Sequence, residues 1–161
     1  MTKPLLLTAF IAGLIGFVLG NAFWYLASPL WIDRVVRESL PAELANNILA
    51  KGRFKDADSS HKGKGNAAIF ESAKGTQILR FTKFEATNGP DLEVWLVASG
   101  DIKRSSDVID SKFVSLGPLK GNIGDQNYVL PKAIKAGDYR SVVIWCKQFS
   151  VLFASARLGA P

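Results

Sequence analysis

The side chains able to do redox or metal chemistry are few. Cys146 is the only cysteine, His61 the only histidine and Met1 the only methionine among 161 residues. A tetrahedral zinc site built on Cys and His is therefore impossible within one chain. Blue copper wants two His and one Cys, cysteine-ligated iron–sulfur clusters want several thiolates, and covalent c-type haem wants Cys-x-x-Cys-His; all are excluded on the same count. A Ser–His–Asp hydrolase would have to use His61, and no Gly-x-Ser-x-Gly elbow presents a nucleophile. The segment HKGKG at 61–65 has neither phosphate-loop nor dinucleotide spacing. Asp56 and Asp58 resemble the start of a calcium loop, but the twelfth position is Ala67 where a Glu is needed. A turn making local backbone hydrogen bonds is the better reading of that stretch. The residues supply no catalytic constellation, which argues against an enzyme.

Cys146 ends the apolar run SVVIWC, just before Lys147. Two readings stay open. One is a small buried hydrophobe at a strand end. The other is a redox thiol whose thiolate Lys147 favours. A lone thiol cannot cycle to an internal disulfide, so it needs a partner thiol, a sulfenic acid or a bound cofactor. Noncovalent haem with Cys146 as ligand, opposed by His61, is chemically permitted.

The elements that would position these residues fall into three zones. Leu5 to Ala27 carries no charge, and only Thr8 and Asn21 have hydrogen-bonding side chains. Its 23 residues reach roughly 34 Å as a helix, enough for a bilayer core of about 30 Å. The run is too long for a secretory signal, and the chain reads as single-pass with the lipid bilayer as partner. Lysine and arginine counts are nearly balanced across it, but a short N-terminal tail before a long domain favours a cytoplasmic N-terminus and a periplasmic or extracellular C-terminal domain. Trp24, Tyr25 and Trp31 suit an interfacial aromatic belt. Residues 28–51 read as a juxtamembrane helical stalk, from Leu30, Val35, Leu40, Leu44 and Ile48, broken at Pro41.

From Gly52 the texture changes to short alternating runs separated by Gly, Pro, Asn and Asp. Leu92, Val94 and Leu96 alternate with Glu93, Trp95 and Val97; SVVIWC and the run from Phe149 to Phe153 alternate likewise. Ile69-Phe70, Leu79–Phe81, Phe113-Val114 and Tyr128-Val129 mark further strands. Seven or eight short strands predict an all-β, antiparallel sandwich or barrel-like domain. Trp95 and Trp145 read as sheet-face aromatics rather than sugar platforms. From Lys51 on, 17 Lys and Arg face 11 Asp and Glu, so the surplus of +6 lies in this domain. That is a solvated basic surface or an attraction to anionic headgroups. The scatter of the basic residues argues against nucleic acid as a partner.

Four blocks then occur in order: GRFKDADSSHKGKGNAAIFE, LRFTKFEATNGPDLEVWLVA, LGPLKGNIGDQNYVLP and YRSVVIWCKQFSVLFASARL. Over residues 52–158 they resemble the DM-thirteen domain, the electron-transfer DM-thirteen family of Skeletor- and Knickkopf-like cell-surface proteins and of bacterial membrane proteins. The resemblance implies a compact β domain outside the cytoplasm with an electron-transfer role, its cysteine a bare thiol or a haem ligand, beside a redox or cell-envelope partner protein. Cys146 matches that cysteine, and His61 matches the family's HxGxG position. Gly89, Pro90 and Asp91 match one loop of the family, with Asn88 beside them, and Lys120, Gly121, Asn122, Asp125, Gln126 and Asn127 lie in another. On the residues themselves both loops are open to two readings, turns that satisfy their own backbone or a ligand-facing surface. The alternative to a redox role is a module that binds a protein or cell-wall glycan through these loops.

Overall fold

A computed structural model describes residues 3–28, 31–44 and 47–161. The chain divides into two compact units, Met1–Ile32 and Asp33–Pro161. The first is one helix, α1 (Lys3–Ala27). Lys3–Tyr25 is long and apolar enough to cross a membrane, with a mean hydropathy of 2.1, and none of that stretch is buried. The apolar run expected from Leu5 to Ala27 lies within α1. In its polar gaps, Thr8 donates to the Pro4 carbonyl at 3.0 Å and Asn21 to the Phe17 carbonyl at 2.7 Å. Both side chains thereby answer to the helix's own backbone, as an apolar solvent requires.

The second unit is a single curled sheet of nine strands, a half-barrel. In chain order these are β1 (Val35–Arg37), β2 (Ile48–Asp56), β3 (Gly63–Glu71), β4 (Gln77–Ala86), β5 (Leu92–Val97), β6 (Phe113–Pro118), β7 (Ile123–Val129), β8 (Ser141–Cys146) and β9 (Val151–Arg157), with a short helix α2 (Ser105–Ile109). Their order across the sheet is β1-β7-β4-β3-β2-β9-β8-β5-β6. The mostly β expectation holds. Every pairing is antiparallel except β1 on β7, which is parallel, so the sheet is mixed.

The helical stalk expected over 28–51 needs correction. Among the described residues it contains β1, a 3-10 turn at Ala42–Leu44 and the start of β2. Its apolar residues recur every four or five positions, which drifts off a helical face. Val35, Val36 and Ile48 are β-branched and fit a pleated surface better. Leu30, one of those positions, lies outside the described residues.

Strand alternation sorts the core. On the inner face, Leu92, Val94 and Leu96 of β5 and Val142, Ile144 and Cys146 of β8 join Phe54, Ile69, Leu79, Phe81 and Phe84. On the outer face of β5, β8 and β9, Trp95, Val97, Val143, Trp145 and Leu152 are covered by Ile102 and by Val108 of α2. On the outer face of β3 and β4, Phe70 and Ile78 are covered by Leu44. Both faces of β5 and β8 are therefore buried, which is why their sequences are nearly continuous apolar runs.

A line of irregular positions bends the sheet. Gly65 stands at φ 107° where β3 slips register against β4, and Lys83 at φ 50° where β4 slips against β7. Gly124, opposite Phe84, continues the line on β7 at φ 107°. Bulges on adjacent strands add local twist, and here they curl the sheet over its aromatic core.

Candidate functional site

Cys146 is the last residue of β8. Parity with Val142 and Ile144 turns it to the inner face, where it is 1% exposed. Its S–H donates to the Pro90 carbonyl at 3.1 Å, and the next amide, Lys147 N–H, donates to the Asp91 carbonyl at 3.0 Å. The Asn88–Asp91 turn thus sits directly on the thiol. Asp91 takes φ 50°, where Asx side chains are best tolerated. Gly89 has no side chain for a packing reason: a Cβ there would lie 2.6 Å from the Phe153 ring and 3.2 Å from Leu92. The thiol lies in packed apolar surroundings beneath one turn. Native maleimide labelling of Cys146 should be far slower than labelling in denaturant, with a rate set by opening of the structure rather than by thiol chemistry.

His61 lies in the turn between β2 and β3. Its Nδ1 is 2.8 Å from Asp58 Oδ2, and its ring packs on Phe153 with centroids 4.4 Å apart. Asp58 also accepts the Ser60 and His61 amides, and Asp56 accepts the Gly63 amide. This is the self-satisfying turn expected between the two aspartates. The His61 side chain, then its amide and that of Ser60, hold the Asp58 carboxyl down at about 2. Cys146 and His61 do not converge as ligands, since each polar atom is turned to a different neighbour. Neither lines any of the described pockets, and the thiol is enclosed by apolar side chains. As folded, the two residues do not fit a haem.

The two polar loops meet on one carboxylate, that of Asp33. Asn122 Nδ2 donates to Asp33 Oδ1 at 2.7 Å, Asn88 Nδ2 donates to the same oxygen at 3.0 Å, and Asn122 Oδ1 accepts the Arg34 amide. Gln126, fully buried, accepts the Tyr128 hydroxyl at 2.7 Å and brackets Gly121 through both its amide atoms. Burial pushes the Tyr128 phenol far above its ordinary range, so it stays a donor throughout the physiological range. Asp125 and Asn127 face outward to Arg80: its guanidinium donates to Asp125 Oδ2 and Asn127 Oδ1, each at 2.8 Å, and to the Glu38 carbonyl at 3.0 Å. Lys120 Nζ completes the cluster on Glu38 Oε1 at 2.8 Å and on the Asn127 carbonyl at 2.7 Å. Burial opposes ionisation of Glu38, but Lys120, the Asn127 amide and Arg80 outweigh it and hold the carboxyl below its usual value. These loop side chains satisfy the fold. Asp33, Glu38 and Arg80 are the partners that sequence reasoning missed.

Comparison with known proteins now decides the family. Residues 53–158, well over half of the chain, match the family described as Electron transfer DM13. The chain belongs to this family. No curated protein and no solved structure matches it. The match begins inside β2, so the DM13 unit as folded draws on β1 and the Leu44 turn, which precede it.

The DM13 sheet also carries a buried acid that the sequence reading passed over. Glu93 on β5 has a side chain 9% exposed, yet it is the acceptor for Trp95 Nε1 at 2.7 Å, Ser115 Oγ at 2.6 Å and Lys147 Nζ at 3.0 Å. The signal for it was a lone charge inside LEVWLV, on the parity of Trp95 and Val97. Trp95 is further clamped by a stack on Phe113 at 4.2 Å and a contact with Trp145 at 5.2 Å. Burial works against ionisation of Glu93, but the bonds from Ser115, Trp95 and Lys147 prevail and lower its pKa. A depressed folded-state pKa gives stability that is present above the unfolded value near 4.5 and is lost as pH falls through the folded value. The stability gap between wild type and Glu93→Gln should therefore be widest near neutrality and narrow below about pH 4.5, read as urea midpoints across pH 7 to 3.

Proposed function

We propose that this DM13 chain is a membrane-anchored redox accessory in which Cys146 is the residue that changes oxidation state. The observation that carries the reading is the placement of the chain's one thiol. It stands at the very end of a strand, under the Asn88–Asp91 turn, within a family described by electron transfer. Opening that turn exposes the sulfur without dismantling the sheet. The thiolate then attacks a disulfide of a partner protein: the Cys146 proton passes to solvent, a Cys146–partner S–S bond forms, the partner's S–S bond breaks and one partner sulfur leaves as thiolate. The uncharged run of α1 from Leu5 to Ala27 tethers the domain to a bilayer, with the N-terminus cytoplasmic and the domain outside, beside such a cell-envelope partner.

The rival, a module that holds a protein or glycan through its Gly/Asn/Asp loops, has less support, because those side chains are engaged within the fold. The test uses the full chain in membranes. With glutathione disulfide, Cys146 should become glutathionylated under native conditions, and Pro90→Gly, which loosens the turn, should speed the reaction several-fold. Absence of adduct in both proteins, with ready modification in denaturant, would leave the thiol an inert part of the core. Protease added outside spheroplasts should cleave the domain but not a tag at the N-terminus; the reverse pattern refutes the orientation.

A further inference from the structure

One open end of the half-barrel holds a cavity of about 580 Å³. Its floor is apolar, formed by Leu49, Ala50 and Leu158, the last 8% exposed. Its rim carries three cations, Lys135, Arg140 and Arg157, and no acidic residue lines it. Among the described residues none of the three makes an ion pair, and none donates a side-chain hydrogen bond. The two arginines are held side by side. Arg157 faces Ser141 across β9 and β8, next to Arg140, and a Cβ at Gly100 would lie 3.6 Å from Arg157 Nε and 3.7 Å from Arg140 Cδ. Both stems therefore pass one spot beside the cavity, and among the described residues neither guanidinium has an acidic partner within ion-pair distance.

We infer that this cavity binds an anionic amphiphile, a carboxylate or phosphate head clamped by Arg140 and Arg157 with its apolar body on Leu49 and Leu158. Guanidinium forks match the paired oxygens of such a head, and an anion between them relieves their repulsion. The volume lies in the range of small-molecule sites, which favour barrel mouths with an apolar wall and a few convergent polar groups. The same chemistry is offered by a bilayer phospholipid or by a free amphiphile. This site is independent of Cys146, and its test reads nothing at the thiol.

The full chain in nanodiscs of phosphatidylcholine is treated with phenylglyoxal, and modification of Arg140 and Arg157 is followed by peptide mass spectrometry. Octyl phosphate should protect both arginines, while octanol and inorganic phosphate at equal concentration should not. In Arg157→Gln, Arg140 remains as reporter, and the octyl phosphate needed for half-protection should rise about tenfold. Leu158→Ser should raise it as well while leaving the unprotected rate unchanged. Protection in phosphatidylglycerol nanodiscs without octyl phosphate assigns the head to a bilayer lipid; protection by octyl phosphate alone assigns it to a free amphiphile. Equal protection by inorganic phosphate, or none by either source, overturns the inference.

Discussion

Replacing Arg80 with methionine should cost the β unit about 3 kcal/mol, the low end of what removing one partner of a buried pair costs, since Asp125 keeps access to water. The Arg80 side chain is 10% exposed and that of Asp125 is 38% exposed. Its guanidinium joins β4 at once to Asp125 and Asn127 of β7 and to the Glu38 carbonyl beyond β1. Methionine fills the stem's volume but leaves the Asn127 amide oxygen and the Glu38 carbonyl without their donor. Lysine keeps the charge but cannot reach three acceptors from one planar fork, so Arg80→Lys should fall between the two. Urea unfolding of the full chain in detergent, followed by tryptophan fluorescence, reads the effect as a lower midpoint at unchanged slope. A loss below 1 kcal/mol in Arg80→Met would show that the cluster is not the clamp described.

Gly65→Ala should be at least as damaging, about 3 kcal/mol or more. Two penalties combine there: φ 107° is unsuited to a side chain, and a Cβ would stand 2.6–2.8 Å from backbone atoms of Lys83 and Phe84. Gly75, at φ 78° in the β3–β4 turn, has open space around it and carries only the first penalty. Gly75→Ala should therefore cost about 1 kcal/mol. The excess of Gly65→Ala over Gly75→Ala, about 2 kcal/mol by the same unfolding assay, isolates the close approach of β3 and β4 at the bend. Equal losses at the two positions would remove the steric argument.

What the sequence disclosed follows from how local each signal is. β5 and β8 alternate over six residues, so their strands, and the parity that buries Cys146 with Val142 and Ile144, are visible in the string. The long uncharged run that became α1 is equally local. β1 and β2 were hidden because their identity depends on partners far away: Val35 pairs with Ile123, and Phe54 with Ala156. The polar clusters were hidden for the same reason. Arg80 meets a carbonyl 42 residues away, and Asn122 meets a carboxylate 89 residues away. Loop residues such as Asn88, Asn122 and Asn127 looked available for a ligand because nothing nearby in the chain claims them. Distant segments do.

The contribution of Asp33–Leu44 to the β unit bears on where that unit can be cut from the preceding chain. A protease cutting between Leu44 and Ile48 would strip away groups that Arg80, Asn122 and Phe70 depend on, and would bare apolar surface on β3 and β4. Shed fragments made that way would be sticky and short-lived. Only scission ahead of Asp33 would leave the β unit intact, so a recombinant β unit has to start about twenty residues before the stretch that defines its family.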